Sequence, residues 1–252
     1  MSTVEKGRFS GQTVVVTGGT RGLGKAMTLA FLNEGATVFA TYRSNEAAAD
    51  ALRDQCAEHG DRLQLASFDV GDYDACEGFW NEMDERAPDG VDVLVSNAGL
   101  RRDGVLAMMP REDWDAVLQT NLGGTYNMCK FGVQNMMRQR YGRIIIVTSP
   151  AGSFGFAGQG NYAASKAGQV GLMRALCKEV AKRKITVNCV SPGFIDTELI
   201  EDLPEALRKE YIATIPVKRF GAPEDVAYAV QCLAAKDASY ITGTTLEVTG
   251  GL

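Results

Sequence analysis

Short apolar segments alternate with helical ones along the chain, and this alternation constrains the fold more than any other feature. Most of the apolar segments are rich in β-branched residues, which favour strands. The predicted strands are Thr13–Val16, Ala36–Tyr42, Leu63–Phe68, Val91–Val95, Ile144–Val147, Ile185–Val190 and Thr245–Val248. The predicted helices are Lys25–Asn33, Asn45–Glu58, Tyr73–Arg86, Trp114–Arg140, Tyr162–Lys182 and Pro223–Ala235. Strands that alternate with helices form a parallel sheet covered on both faces, so we expect an α/β doubly wound fold of about seven strands.

The composition is that of an ordinary globular protein. Of the 252 residues, 45% are hydrophobic and 23% are charged, a balance that supports a buried core. No internal repeat, linker or low-complexity stretch divides the sequence, so we expect residues 1–252 to form a single domain. The formal net charge of −5 disfavours nucleic acid as a partner.

Membrane and disulfide signals are missing from the sequence. The first residues contain no apolar stretch typical of a signal peptide, and no apolar run approaches the ~18 residues of a membrane span. We therefore expect a cytoplasmic protein without a membrane partner. The 6 cysteines are scattered and form no C-x-x-C pair, which predicts reduced residues, mostly in the core.

The chain contains a single histidine, His59, in a polar turn. A Ser-His-Asp hydrolase requires a histidine beside its nucleophile, and a histidine-based zinc site requires further ligands. The sequence therefore argues against both classes, and we expect no metal site. We expect His59 itself to be a solvated loop residue at a helix end.

Residues 149–166, SPAGSFGFAGQGNYAASK, carry the strongest candidate for chemistry. Tyr162 and Lys166 are four residues apart, which places both side chains on one helical face. An ammonium beside the phenol favours the phenolate and lowers the tyrosine pKa, as acid–base catalysis near neutral pH requires. Ser149 follows a predicted strand, where its hydroxyl would reach a substrate oxygen.

A second Tyr-x-x-x-Lys pair, Tyr126 and Lys130, has the same spacing. By spacing alone, either pair also describes a packed tyrosine beside a solvated lysine. The context favours Tyr162, because a serine at a strand end lies thirteen residues upstream and a glycine-rich loop separates the two.

Residues 17–24, TGGTRGLG, link the first predicted strand to the first predicted helix. A glycine turn in this position lets the backbone approach a phosphate, and free N–H groups at the helix start point towards it. The same residues offer a rival interpretation, since Gly19 to Lys25 fits a nucleotide-binding P-loop. That motif ends in a serine or threonine that holds Mg²⁺, whereas Ala26 has no hydroxyl.

The glycine turn and the set of Ser149, Tyr162 and Lys166 together resemble the short-chain dehydrogenase/reductase family, and the resemblance covers Gly11–Leu252. Further family motifs follow in order. Asn97-Ala98-Gly99 matches the motif after the fourth strand, where Ser96 replaces the first asparagine of the family. Asn121 matches the fourth member of the catalytic tetrad, and residues 192–197 match a Pro-Gly turn that borders the nicotinamide in relatives.

The resemblance implies a Rossmann-like fold that binds a nicotinamide dinucleotide. Two arginines near the adenosine ribose, Arg21 and Arg43, and no acid at the end of the second strand favour NADPH over NADH. Glu46 is close enough to leave the alternative open. The implied cofactor-binding residues are Gly18, Thr20, Arg21, Gly22, Leu23, Gly24, Arg43, Asp69, Val70, Asn97, Ala98, Gly99, Tyr162, Lys166, Pro192, Gly193, Ile195 and Thr197.

The subgroup that the chain resembles most is the 3-oxoacyl-[acyl-carrier-protein] reductases. Their chemistry implies hydride transfer from NADPH to a carbonyl carbon, a proton from Tyr162, and orientation of the oxygen by Ser149. Three alternatives stay open at this point. One is a sister reductase acting on CoA thioesters, polyketides, steroids or sugars; another is a non-catalytic cofactor sensor; the last is the P-loop nucleotidase.

The resemblance also implies partners. Arg140 and Arg183 match the residues that dock the acidic carrier protein in that subgroup, and nearby lysines add positive charge. Members of the family form tetramers, so we expect a homotetramer. Residues 198–214 lie between prolines and would suit a mobile lid over the substrate.

Overall fold

The computed structural model describes residues 7–197 and 204–252. Its strands form one parallel sheet of seven, in the order β3-β2-β1-β4-β5-β6-β7, which confirms the predicted fold class. The strands are β1 Thr13–Val16, β2 Thr37–Tyr42, β3 Leu63–Ser67, β4 Val93–Ser96, β5 Gly142–Val147, β6 Ile185–Pro192 and β7 Thr245–Val248.

Helices connect the strands. They are α1 Gly22–Asn33, α2 Glu46–Gln55, α3 Tyr73–Arg86, α4 Arg111–Leu118, α5 Gly124–Gln139, α6 Ala151–Phe154, α7 Gly160–Val180, α8 Glu205–Thr214 and α9 Pro223–Ala234. Short 3₁₀ turns lie at Ala57–Arg62, Leu106–Met108, Ala181–Arg183 and Lys236–Ala238, and a π turn lies at Gln119–Gly123. Part of the predicted lid is therefore helix α8, and residues 198–203 lie outside the described residues.

Side chains of the strands alternate between two cores, one on each face of the sheet. Val14 and Val16 pack with Phe31 of α1 and Val230 of α9, while Val15 faces the other core. That second core is built by α3, α5 and α7. Each large apolar side chain that is fully buried contributes roughly 1.5–3 kcal/mol, so both faces of the sheet stabilise the fold.

The predicted helix Trp114–Arg140 is interrupted. It begins earlier, at Arg111, and the π turn divides it into α4 and α5. Gly124 follows the turn and lies against Val70, because an added Cβ would come within 2.7 Å of the Val70 side chain. The interruption turns the side chain of Asn121 inwards, where it is fully buried.

The prediction of a solvated His59 is wrong. Its imidazole is only 11% exposed, and its Nδ1 lies 2.9 Å from the guanidinium of Arg62. Arg62 also donates to the carbonyl of Leu32, 2.6 Å away, and this bond folds the 3₁₀ turn back onto the domain. The prediction of reduced cysteines, mostly in the core, is confirmed, since all six are free and five are buried.

Among residues 7–197 and 204–252, no helix has the combination of length and apolar character that crossing a membrane would require.

Candidate active site

The predicted site residues gather at one edge of the sheet. Parallel strands all end at the same edge, and in such sheets ligands bind beyond the carboxyl ends, where the strand order reverses. Here the reversal lies between β1 and β4, which neighbour each other at the centre. The loops after β1 to β6 bring together the glycine turn, Arg43, Asp69, Val70, Asn97, Ala98, Gly99, Ser149, Gly193, Ile195 and Thr197, and Pro192 ends β6.

The glycine turn after β1 fits a phosphate-bearing ligand. Gly18 and Gly22 have φ angles of +62° and +50°, a region that favours glycine. An added Cβ at Gly24 would lie 1.9 Å from the Gly18 carbonyl oxygen, so Gly24 allows α1 to pack on the turn. At Gly22 the same Cβ would meet nothing within 4 Å, so the backbone there is open to a ligand.

Thr17 ties the ends of β1 and β4 together, and the sequence analysis did not select it as a site residue. Its Oγ1 accepts hydrogen bonds from the backbone N–H groups of Asn97 and Ala98, each 2.9 Å away. The Asn97 side chain returns a bond of 2.9 Å to the Thr17 carbonyl. A threonine directly before the glycine turn was the only signal for this role.

Ser96 keeps a hydrogen bond at the position where the family has asparagine. It is buried at the end of β4 and donates to the hydroxyl of Thr125, 3.2 Å away on α5. The substitution therefore links the sheet to α5 through a pair of hydroxyls.

The two arginines predicted to favour NADPH lie in the loops after β1 and β2. Arg21 precedes the first residue of α1 and is exposed. Arg43 follows β2, and its guanidinium lies 3.4 Å from the carboxylate of Asp69. Glu46 occupies the first turn of α2, where its charge favours the helix dipole.

Ser149 and Tyr162 meet across the loop between β5 and α7. The Ser149 hydroxyl lies close enough to the Tyr162 phenol to lower its pKa. Burial raises the pKa of Tyr162 above its ordinary value, and the nearby Ser149 hydroxyl and the charge of Arg101 oppose this rise. The lowering expected from Lys166 is not seen, so the phenol is protonated at neutral pH.

Lys166 is directed past the tyrosine towards the sheet. Its Nζ donates to the Val147 carbonyl, 2.8 Å away, and lies 5.5 Å from the centroid of the Tyr162 ring. The side chain is buried, and this desolvation lowers the pKa of Lys166 to about 8. The ammonium therefore touches a strand carbonyl and the tyrosine ring, and this geometry explains why it does not dominate the pKa of the phenol.

Asn121 lies beneath this pair, with its side chain bound on two sides. Its Oδ1 accepts from the backbone N–H of Leu100 at 2.8 Å, and its Nδ2 donates to Ser165 of α7 at 3.0 Å. The π turn leaves its backbone carbonyl free to accept from Gln169 at 2.9 Å and from Thr125 at 2.7 Å. Sequence reasoning selected Asn121 but missed Ser165 and Gln169.

The second Tyr-x-x-x-Lys pair is not a site of this kind. Tyr126 is 47% exposed on α5, and Lys130 donates instead to the hydroxyl of Tyr73 on α3. The P-loop interpretation also loses support, because Ala26 packs against the core beneath the sheet.

Arg140 and Arg183 lie at the opposite edge of the sheet from Tyr162. Arg140 ends α5 just before β5, Arg183 precedes β6, and both side chains are exposed. The six residues of β5 separate this edge from Ser149 by roughly 20 Å.

Chemically, the site presents two hydroxyl groups at one point, above a buried ammonium and beside an open glycine turn. Such an arrangement donates hydrogen bonds and a proton to an oxygen atom, as reduction of a carbonyl requires.

Comparison with known proteins agrees with this geometry. A family model described as enoyl-(acyl carrier protein) reductase matches residues 17–252. Similar curated proteins are 3-oxoacyl-[acyl-carrier-protein] reductases FabG of Thermotoga maritima, 42% identical over 97% of this chain and 99% of the relative, and of Haemophilus influenzae, 43% identical over 97% and 99%. The Escherichia coli enzyme of the same name is 41% identical over 97% and 98%. The chain belongs to the short-chain dehydrogenase/reductase family.

Proposed function

We propose that this protein reduces a 3-oxoacyl thioester, carried on acyl carrier protein, to the 3-hydroxyacyl thioester with NADPH. The observation that carries the proposal is the placement of Tyr162, whose phenol is close to Ser149 and whose ring centroid lies 5.5 Å from the Nζ of Lys166. The chain is also about 40% identical, over nearly its whole length, to several enzymes named for that reaction.

In this mechanism Tyr162 gives its proton to the carbonyl oxygen, and Ser149 holds that oxygen by a hydrogen bond. The raised pKa of Tyr162 suits the role, because the phenol stays protonated at neutral pH. Lys166 would bind the nicotinamide ribose. NADPH, when bound, supplies the hydride. The glycine turn and Asn97 to Gly99 would hold its phosphates and ribose, with Arg21 and Arg43 at the 2′-phosphate.

The description of the matching family model favours a second candidate, reduction of the carbon–carbon double bond of an enoyl thioester. That reaction adds its proton to carbon or to an enolate. The paired hydroxyls of Ser149 and Tyr162 suit a ketone oxygen better, so we place the 3-oxoacyl thioester first.

The test follows NADPH oxidation with acetoacetyl and crotonyl thioesters, each on carrier protein and on CoA, for wild type and Tyr162→Phe. We expect the wild type to use acetoacetyl-carrier protein, and the variant to lose about 10²–10⁴ of the rate because the proton donor is gone. Activity on crotonyl thioester alone would favour the enoyl candidate. A wild type inactive on all four would overturn the proposal and favour a cofactor sensor, or a sister reductase with another carbonyl substrate.

We also propose that the carrier docks at Arg140 and Arg183, whose exposed cations suit an acidic partner. Charge reversal at both should weaken use of the carrier-linked substrate far more than of a small soluble ketone. Arg111→Glu, an exposed arginine on α4, is the matched control. Equal losses on both substrates would remove the docking role.

A homotetramer is the expected assembly. Family membership suggests it, and so does the free edge of the sheet at β7, where Leu246 is 37% exposed. Exposed aromatic side chains add to this, since Tyr228 on α9 is 68% exposed and Tyr240, before β7, is 100% exposed. Light scattering of the purified protein tests the assembly, and a monomeric mass at micromolar concentration would contradict it.

A further inference from the structure

The first turn of α7 carries Tyr162, and the first turn of any helix is the part that frays most readily. Its N–H groups have no partner within the helix, and they are usually satisfied by the side chain of the preceding capping residue. In α7 that residue is Gln159, whose side chain makes no capping bond. Its amide nitrogen instead bonds to Asp103, 3.2 Å away.

Asn161 supplies the missing contact from inside the turn. Its Oδ1 accepts a hydrogen bond of 2.7 Å from the backbone N–H of Tyr162. Its Nδ2 donates to the carbonyl of Arg102 at 2.9 Å and to that of Asp113 at 3.3 Å. The side chain has no exposed surface, so none of these bonds competes with water.

These bonds join three separate parts of the site. Arg102 belongs to the loop after β4, Asp113 belongs to α4, and Tyr162 belongs to α7. The loop is also held to the segment just before α7, where the Gly104 N–H donates to the Gly158 carbonyl at 2.8 Å. Asn161 is therefore the one buried side chain, among the described residues, that bonds the tyrosine backbone, the loop and α4 together.

We propose that Asn161 is a positioning residue, which fixes the backbone of Tyr162 so that its hydroxyl stays beside Ser149. The inference rests on the proposed function, in which Tyr162 is the proton donor. A displacement of about 1 Å in a reacting group costs on the order of 10²-fold in rate.

The experiment compares Asn161→Ala with Asn135→Ala. Asn135 is a matched control, since it is also buried and bonds to the Val91 N–H at 2.8 Å and to Asp84 at 2.9 Å. The readouts are kcat, KM, NADPH affinity by fluorescence, and deuterium exchange of residues 155–166. We expect Asn161→Ala to lower kcat by about 10- to 100-fold, with NADPH affinity within about twofold of wild type. Its first α7 turn should exchange at least about tenfold faster, whereas Asn135→Ala should change neither kcat nor this exchange.

Asn161→Asp keeps the acceptor for the Tyr162 N–H and the shape, but loses the donors to the two carbonyls. This variant replaces Asn161→Ala in the experiment if the alanine variant does not fold. We expect it also to lower kcat and to speed exchange. Unchanged exchange at Tyr162, or an unchanged kcat in a folded variant, would overturn the inference. Exchange needs no turnover, so it decides the role of Asn161 even if the wild type fails to reduce the ketone and the proposed function is wrong.

Discussion

Lys166 donates a hydrogen bond from Nζ to the backbone carbonyl of Val147, 2.8 Å away at the end of β5. The bond fastens α7 to the sheet beside the proposed catalytic serine. It holds a charged group where water is excluded, and the lysine pKa falls to about 8 in consequence.

Replacing Lys166 by methionine should stabilise the protein at pH 7. A lowered pKa means that the folded state disfavours the charged form, so the cost is full below about pH 8 and is relieved as pH rises towards 10.5. In the wild type this cost corresponds to roughly 3 kcal/mol. The gain in the variant is smaller, because the variant also loses the hydrogen bond to Val147. Urea unfolding of wild type and variant at pH 7 and pH 10 measures the effect.

The gain in free energy of unfolding should fall by more than half between those two pH values. Lys178→Met, an exposed position on the same helix, is the control and should show no such dependence. A gain that is the same at both pH values would show that burial of the charge is not the cause. Catalysis should be lost in the Lys166 variant at either pH.

Ser149→Ala should move the basic limb of the kcat–pH profile to higher pH. The nearby Ser149 hydroxyl lowers the pKa of Tyr162, so its removal lets burial raise that pKa further. The rate plateau should also fall by about 10²–10³, because the substrate oxygen loses a donor. The measurement uses a neutral ketone, and Ser153→Ala on the exposed part of α6 is the control. An unmoved limb would exclude Ser149 as a determinant of the tyrosine pKa.

Arg43→Ala should weaken NADPH binding by about 10- to 100-fold and leave NADH binding unchanged, since a charge-assisted bond to the 2′-phosphate is lost. Fluorescence titration with both cofactors measures this. Arg53→Ala, on the exposed face of α2, should affect neither. Equal losses for NADPH and NADH would place Arg43 outside the phosphate site.

Thr17→Val should destabilise the fold by about 2–4 kcal/mol, because the substitution keeps the shape but leaves the Asn97 and Ala98 N–H groups unsatisfied. Thr186→Val is a sharp control. Its hydroxyl oxygen is also buried but has no partner in the described part of the chain, so valine there should be neutral or stabilising. Similar losses at both positions, measured by urea unfolding, would contradict this account.

Much of the fold was predictable because its signals are local. Runs of four β-branched residues such as Thr13–Val16 or Ile144–Val147 favour a buried strand, and the glycine turn marks the start of α1. The expected order of strands and helices is confirmed, with bounds that differ by a few residues. The choice of Ser149, Tyr162 and Lys166 as candidates also used local signals, namely the Tyr-x-x-x-Lys spacing, the upstream strand end and the glycine-rich loop.

The rest depends on contacts between distant segments. The π turn at Gln119–Gly123 contains Asn121, whose hydrogen bonds to Leu100 and Ser165 are contacts that no periodicity reveals. The direction of Lys166 depends on a strand carbonyl, so the expected effect on the tyrosine pKa was wrong. His59 is largely buried because Arg62, which contacts it, reaches back to α1.

The bonds between Thr17 and Asn97 also constrain when this part of the nascent chain can fold. The two residues are 80 positions apart, yet each directly follows one of two neighbouring central strands. At ~5–20 residues per second, a ribosome needs roughly 4–16 seconds between making one and the other. During that interval β1 has no neighbour on its β4 side, and the glycine turn lacks its opposite wall. A nascent chain therefore completes the two facing sides of this turn only after the fourth strand emerges.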